Sequence, residues 1–122
     1  MNSRKKILVI DDDATIIDFL RAKLPEHDIV ATESARDAVA LARNHRPDLI
    51  LCDINMPEVD GGDVSVALFN DDAVRAIPFV YLTGLTTPKD LGARGGHLGG
   101  RAALSKHMPP DELVGRIRNL VN

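Results

Sequence analysis

The feature that most constrains the fold is an apolar run at residues 49–52 that ends in a single carboxylate, Asp53. Pro47, just before the run, is a helix stop, and a turn at Gly61 and Gly62 follows it. A short run in which every residue is apolar predicts a strand buried on both faces, as in a parallel sheet. An acid at the carboxyl end of such a strand lies where open α/β sheets place their chemistry.

Strand and helix patterns alternate along the rest of the chain. We predict strands at residues 7–10, 29–31, 49–52, 79–82 and 102–104, each followed by a helical pattern. Five such alternations predict an α/β, doubly wound (βα)5 flavodoxin-like fold with helices on both faces of the sheet. Right-handed crossovers then favour a five-stranded parallel sheet of order 2-1-3-4-5.

Length, charge and cysteine content narrow the class of protein. With 122 residues there is room for one domain, which we expect to span residues 1–122. The net charge of −3 does not indicate a protein that binds nucleic acid, which would need a basic face. No apolar run approaches the length of a membrane helix. The single cysteine, Cys52, lies inside the best strand, where we expect a core residue. A chain with one cysteine suits a reducing compartment, and we expect it in the cytoplasm.

One stretch, residues 85–101, departs from the regular pattern. It contains five glycines, which are poor helix formers, so we predict one short helix over residues 88–93 and then a mobile loop.

Polar residues follow four of the predicted strands at the point where each strand ends. They are Asp11, Asp12, Asp53, Thr83 and Lys106. In a parallel sheet these strand ends lie at one edge, and a cluster of carboxylates there would raise its own pKa values unless a cation relieved the repulsion. All-oxygen ligands suit Mg²⁺, which also accepts phosphate oxygens. The sequence therefore predicts a site for a phosphoryl group beside a magnesium ion.

Asp53 is the best candidate to accept a phosphoryl group covalently, because it is single, central and at the end of the most buried strand. Other polar residues have simpler interpretations. Asp13 is expected to cap the first helix, the pair Asp71 and Asp72 to be solvated surface, and His107 to be a bystander near the site.

The sequence resembles the CheY-like receiver domains of bacterial two-component response regulators. The resemblance rests on KKILVIDDD, PDLILCDINMPEVDG, FVYLTG and LSK, and it covers nearly the whole chain. It implies that Asp53 is the phosphoacceptor, and that Asp11 and Asp12 hold Mg²⁺ together with Asp53 and the carbonyl of Asn55. It also implies that Thr83 is the switch hydroxyl and that Lys106 pairs with the phosphoryl group.

The resemblance further implies which partners the chain has and which residues set the lifetime of its phosphoryl group. A sensor histidine kinase or a phosphotransfer protein would donate the phosphoryl group, and the chain would catalyse only its own phosphorylation and dephosphorylation. Asn55 and Leu85 would tune how long the acyl phosphate lasts. The output would be a downstream protein target or a fused output domain, with a homodimer left open and no direct contact with nucleic acid or membrane. The chain ends after the last helix, so we expect no further module, whether it is a stand-alone regulator or a piece of a longer protein.

Three features of the chain depart from the family pattern. His107 stands where the family usually has a proline after the lysine, often with a cis bond, and Ala103 replaces an aromatic residue that usually swings inward. The fourth helix is glycine-rich. We therefore expect intact phosphorylation chemistry with a different read-out, in which order and disorder in residues 85–101 replace the aromatic swing.

Two rival interpretations stay open from the sequence. Residues 9–15 also fit the first motif of haloacid-dehalogenase-like phosphatases, in which Asp11 would be the nucleophile. Alternatively, the chain is an unswitched receiver that acts as an interaction or dimerisation module.

Overall fold

The computed structural model describes residues 4–56 and 61–121. Within them the order of elements is as follows: β1 Lys6–Ile10, α1 Ala14–Lys23, β2 Asp28–Thr32, a 3₁₀ turn Ala35–Asp37, α2 Ala38–His45, β3 Leu49–Cys52, α3 Gly61–Phe69, β4 Phe79–Thr83, α4 Pro88–Ala93, β5 His97–Leu98, β6 Arg101–Ser105 and α5 Pro110–Val121. Residues 57–60, which belong to the central sequence motif, lie outside the described residues.

The strands form one sheet in the order β2-β1-β3-β4-β6-β5, and the first five strands in this order run parallel to one another. This arrangement confirms the doubly wound flavodoxin-like fold. The register pairs Ile10 with Cys52 and Thr83 with Ser105, so the carboxyl ends of the central strands lie level with one another. The residues that follow these ends are therefore brought to one edge of the sheet.

The sheet differs from the prediction by one added strand. His97 and Leu98 pair antiparallel with the start of β6, where a mobile loop was expected. Gly99 and Gly100 form the two-residue connection with φ of 56° and 79°, and positive φ at both positions is what a type I′ hairpin turn requires. The glycines that disfavour a long fourth helix therefore build a hairpin, and the expectation of a mobile loop at these residues was wrong.

The core lies on both faces of the sheet, because successive strand residues point to opposite sides. One face of β1 and β3 packs under α1 and α5, and the other packs under α2 and α3. Cys52 is fully buried on the second face, which confirms its prediction as a core residue. A smaller cluster under α4 contains Tyr81, Leu91 and Ala103.

The adjacent acids Asp71 and Asp72 differ in their exposure to solvent. Asp71 was expected to be solvated, but its side chain is largely covered, forms an ion pair with Arg43 and accepts a hydrogen bond from the backbone nitrogen of Ala73. Asp72 is exposed, as expected, beside Arg75. In residues 4–56 and 61–121 we find no helix with the length and apolar character to cross a bilayer.

Candidate functional site

Three carboxylates meet at the carboxyl edge of the sheet. Asp11, Asp12 and Asp53 each offer an oxygen atom within 4.8 Å of the others, and we call this group the acid cluster. Asp11 and Asp53 are buried, with 1% and 7% of their surface exposed, whereas Asp12 faces solvent. The backbone nitrogen of Asp53 donates to the carbonyl of Ile10 at 2.9 Å, which extends the β1–β3 ladder by one residue and sets the two acidic chain segments side by side.

Lys106 joins the acid cluster from β6, across the intervening strand β4. Its Nζ atom lies 2.7 Å from Oδ2 of Asp11 and 3.4 Å from Oδ2 of Asp53. The side chain is only 16% exposed, so its ammonium group is held in the site rather than extended into water. The acids and this lysine therefore lie close together, as we predicted from the sequence.

Burial and charge oppose each other within this group. Burial raises the pKa of the Asp11 carboxyl above its ordinary value, and the hydrogen bond from Lys106 offsets part of that shift. Burial also acts to lower the pKa of Lys106, but the hydrogen bond and charge of Asp11, with the charge of Asp53, raise it overall. The acid cluster brings three carboxyl groups to the ammonium group of Lys106, and an additional cation would complement this arrangement.

The donor set fits a hard divalent cation. The acid cluster supplies only oxygen atoms, and Asp12 leaves one side open to water. Asn55 follows in the loop after β3, and its backbone nitrogen lies 3.4 Å from Oδ1 of Asp53. These residues match the chemistry that Mg²⁺ prefers.

Gly61 closes the loop that carries Asp53. Its nitrogen donates to the carbonyl of Ile54 at 2.7 Å. A Cβ atom at this position would collide with the carbonyl oxygen of Asp53 and come within 2.8 Å of the Cα of Ile54. Only glycine allows this approach, so the start of α3 is packed directly against the backbone of the acidic residue.

Thr83 lies at the same edge, at the end of β4, and is fully buried. Its Oγ1 atom accepts a hydrogen bond from the backbone nitrogen of Leu85 at 3.0 Å. Leu85 itself is 64% exposed, so its side chain faces solvent beside the site. Thr83 is therefore placed between the strands that carry Asp53 and Lys106, with its hydroxyl already tied to the loop that follows.

The sequence alone did not predict a set of hydrogen bonds between residues 105–107 and residues 83–86. Residues 83–86 comprise the last residue of β4 and the loop that follows it, and we call them the β4 loop. Three successive residues donate to carbonyl oxygens of this loop. The pairs are Ser105 Oγ to Thr86 at 2.6 Å, the Lys106 nitrogen to Thr83 at 2.7 Å, and the His107 ring to Gly84 at 2.8 Å. Polar residues directly after a strand were the available signal, but their partners are nineteen to twenty-three positions away.

His107 is therefore not a bystander to the β4 loop, although its ring is not part of the acid cluster. The peptide bond between Lys106 and His107 is trans, since the described residues contain no cis peptide. The backbone nitrogen of His107 donates to Oγ of Ser105 at 3.0 Å. A proline at position 107 could not form this hydrogen bond, because it has no backbone N–H.

Two other predictions can be compared with the structure. Asp13 caps α1, because its side chain accepts from the backbone nitrogen of Thr15 at 3.0 Å, as expected. Ala103 is buried and packs with Tyr81 on the neighbouring strand β4. The space beside Ala103 is thus filled by an aromatic ring from the adjacent strand.

Comparison with known proteins identifies the class. The response regulator receiver domain model matches residues 7–118, and the chain belongs to this family. The polar-differentiation response regulator DivK of Brucella anthropi is 34% identical over 88 residues, which cover 70% of this chain and 72% of that protein. The probable transcriptional regulator ycf27 of Porphyridium aerugineum is 32% identical over 120 residues, 97% of this chain but only 48% of the relative.

The solved structures agree with this assignment. Chemotaxis protein CheY4 of Vibrio cholerae superimposes with a TM-score of 0.77 at 25% identity, over 96% of this chain and 98% of that one. The chain is therefore a receiver domain of the response regulator type, a signalling domain rather than a conventional enzyme. The haloacid-dehalogenase-like and unswitched interpretations receive no support from these comparisons.

Proposed function

We propose that Asp53 accepts a phosphoryl group from a phosphohistidine of a sensor histidine kinase or phosphotransfer protein. The observation that carries the proposal is the convergence of three carboxylates with the ammonium group of Lys106, which contacts both buried acids. Phosphoryl transfer needs mainly positioning and charge neutralisation, and this arrangement is suited to both.

Asp11, Asp12, Asp53 and the carbonyl of Asn55 would hold Mg²⁺. When bound, the ion supplies positive charge that neutralises the oxygens of a phosphoryl group as they approach the acids. The convergence of three carboxylates, each with an oxygen atom within 4.8 Å of the others, supports this assignment.

The transfer step balances with one proton from water. A P–O bond forms to the Asp53 carboxylate as the P–N bond of the phosphohistidine breaks. The donor histidine keeps the electron pair of that bond and takes a proton from water. Lys106, held 3.4 Å from Oδ2 of Asp53, is positioned to pair with the new phosphoryl group, and the Thr83 hydroxyl is positioned to move toward it.

The same site would reverse the modification. Water attacks the acyl phosphate and releases inorganic phosphate, which returns the Asp53 carboxylate. Asn55 and Leu85 flank the path of this water in the proposed site, and both are exposed. Leu85 offers no polar group to orient the water, which favours a long-lived phosphoryl group. The switched surface would act on a downstream protein target or a fused output domain.

The test is to incubate the protein with acetyl phosphate and Mg²⁺ and to measure its intact mass. We expect the mass of one phosphoryl group in the wild type and in Asp18→Asn, a control for an exposed carboxylate on α1. Asp53→Asn should gain none. Wild type that gains no phosphoryl group although it binds Mg²⁺ would overturn the proposal and favour an unswitched interaction module.

A further inference from the structure

We propose that His107 is a positioning residue of the switch, whose ring holds the β4 loop in the arrangement of the unphosphorylated protein. The inference rests on the proposed phosphorylation of Asp53, because it concerns how the Thr83 hydroxyl becomes free to move. The contact that carries it joins the His107 ring to the carbonyl oxygen of Gly84.

The direction of this hydrogen bond follows from its partners. Nε2 of His107 lies 2.8 Å from the Gly84 oxygen. A carbonyl oxygen can only accept, so Nε2 carries the hydrogen atom and donates it. The bond therefore forms with the hydrogen atom on Nε2 of the His107 ring.

The carbonyl that His107 holds belongs to a peptide unit that also binds the switch hydroxyl. The peptide between Gly84 and Leu85 uses its C=O for the His107 ring, and its N–H donates to Oγ1 of Thr83 at 3.0 Å. A peptide unit is planar and moves as one body. If the Thr83 hydroxyl is to leave the Leu85 nitrogen, this peptide must reorient or lose a partner, and His107 resists that reorientation.

The other two hydrogen bonds to the β4 loop are harder to break. The Lys106 nitrogen continues the ladder between β4 and β6, and the Ser105 hydroxyl is fully buried. The His107 ring is exposed and lies outside the ladder, so water can replace it at low cost. Gly84 also has space around it, since the nearest atoms to a Cβ built there are 3.9 Å away.

Removal of the ring should therefore shift the population of loop arrangements without unfolding the protein. A ligand that needs the released loop binds more tightly when that arrangement is more populated. The loss of one exposed hydrogen bond should change this population by about two- to tenfold. A glutamine, which carries an amide donor at a similar reach, should retain most of the contact.

The first measurement is hydrogen exchange of the unphosphorylated protein, resolved to the Leu85 amide. His107→Ala should speed this exchange by about two- to tenfold, and His107→Gln should stay near the wild type. His97→Ala is the matched control, because the His97 ring contacts the carbonyl of Gly95, between α4 and β5, rather than the β4 loop. The Asp13 amide, which is bound to Asp11, should not change in any variant.

The second measurement is the affinity of the same variants for beryllofluoride, a phosphoryl mimic, with Mg²⁺ present. We expect His107→Ala to bind it about two- to tenfold more tightly than the wild type. An unchanged Leu85 exchange rate in His107→Ala overturns the positioning role, and so does unchanged affinity for the mimic. If no variant binds the mimic and Asp53 takes no phosphoryl group, the proposed function fails instead, and the exchange experiment still decides whether His107 holds the loop.

Discussion

Nζ of Lys106 lies closer to Asp11 than to Asp53, at 2.7 Å and 3.4 Å from their respective Oδ2 atoms. In this arrangement the lysine neutralises a buried acid that the proposed function assigns to metal binding. The ammonium group and the proposed metal ion would therefore compete for the same carboxylate.

This competition predicts that Lys106→Met increases the affinity for Mg²⁺ in the unphosphorylated protein. The expected gain is about fivefold or more, because even two charges about 4 Å apart in water interact by about 1 kcal/mol. Isothermal titration calorimetry measures it directly, with Lys89→Met on the exposed face of α4 as the control. Weaker binding of Mg²⁺ by Lys106→Met would show that the lysine does not occupy the metal's place.

The raised pKa of Asp11 predicts a pH-dependent stability. A carboxyl whose pKa is higher in the folded protein binds protons more tightly there than in the unfolded chain. The free energy of unfolding therefore falls as the pH rises from the ordinary pKa of a carboxyl through the raised pKa of the folded protein. In Mg²⁺-free buffer, Asp11→Asn should be at least as stable as the wild type at pH 7. The advantage should shrink as pH falls toward 4, which urea unfolding at several pH values measures. A difference that grows on acidification would contradict the assignment.

Gly61 and Gly115 predict opposite responses to the same substitution. Gly61→Ala should destabilise by about 1–3 kcal/mol, because the new methyl group meets the backbone of Asp53 and Ile54. Gly115→Ala lies within α5, where an added Cβ meets nothing within 4 Å, and should stabilise by about 0.5–1 kcal/mol. Urea unfolding of the two variants provides the comparison, and equal effects would exclude the close approach at Gly61.

Tyr81 and Ala103 lie opposite each other on neighbouring strands and share one buried cluster. Both residues are buried in the cluster under α4, so Ala103→Tyr should overpack it and cost about 1–3 kcal/mol. In the double variant with Tyr81→Ala, the new ring should fill part of the space left by the old one. The double variant should then be more stable than the sum of the single effects, by about 0.5–3 kcal/mol. Simple additivity in thermal unfolding would show that the two positions do not share one space.

The glycine-rich segment predicts a change of protection on phosphorylation. Ala103 donates its backbone N–H to Gly96, and Gly96 donates to Leu91, so these amides report on the hairpin and on the end of α4. Hydrogen exchange with and without beryllofluoride should differ in residues 85–101. The Arg46 amide at the end of α2, bound to Ala42, is the internal reference. Equal protection in the two states would refute order and disorder of this segment as the read-out.

Local pattern was enough to predict that these polar side chains lie together at one edge of the sheet. Strands buried on both faces appear in the sequence as continuous apolar runs, and the acids after β1 and β3 stand out because each one directly follows such a run. The parallel topology then brings Asp11 and Asp53 together without any knowledge of side-chain contacts. The hairpin was missed because glycines were read only as helix breakers. The covered position of Asp71 was missed because its partner, Arg43, is 28 residues away.

The sequence by itself determined the alternation of strands and helices, the level strand ends and the carboxylates that meet there, because each follows from periodicity and from the residue at a strand's end. Only the tertiary structure decided the exact partners. Lys106 approaches Asp11 more closely than Asp53, and the His107 ring contacts Gly84. Such contacts depend on side-chain reach and loop geometry between residues far apart in the chain, and no local pattern encodes them.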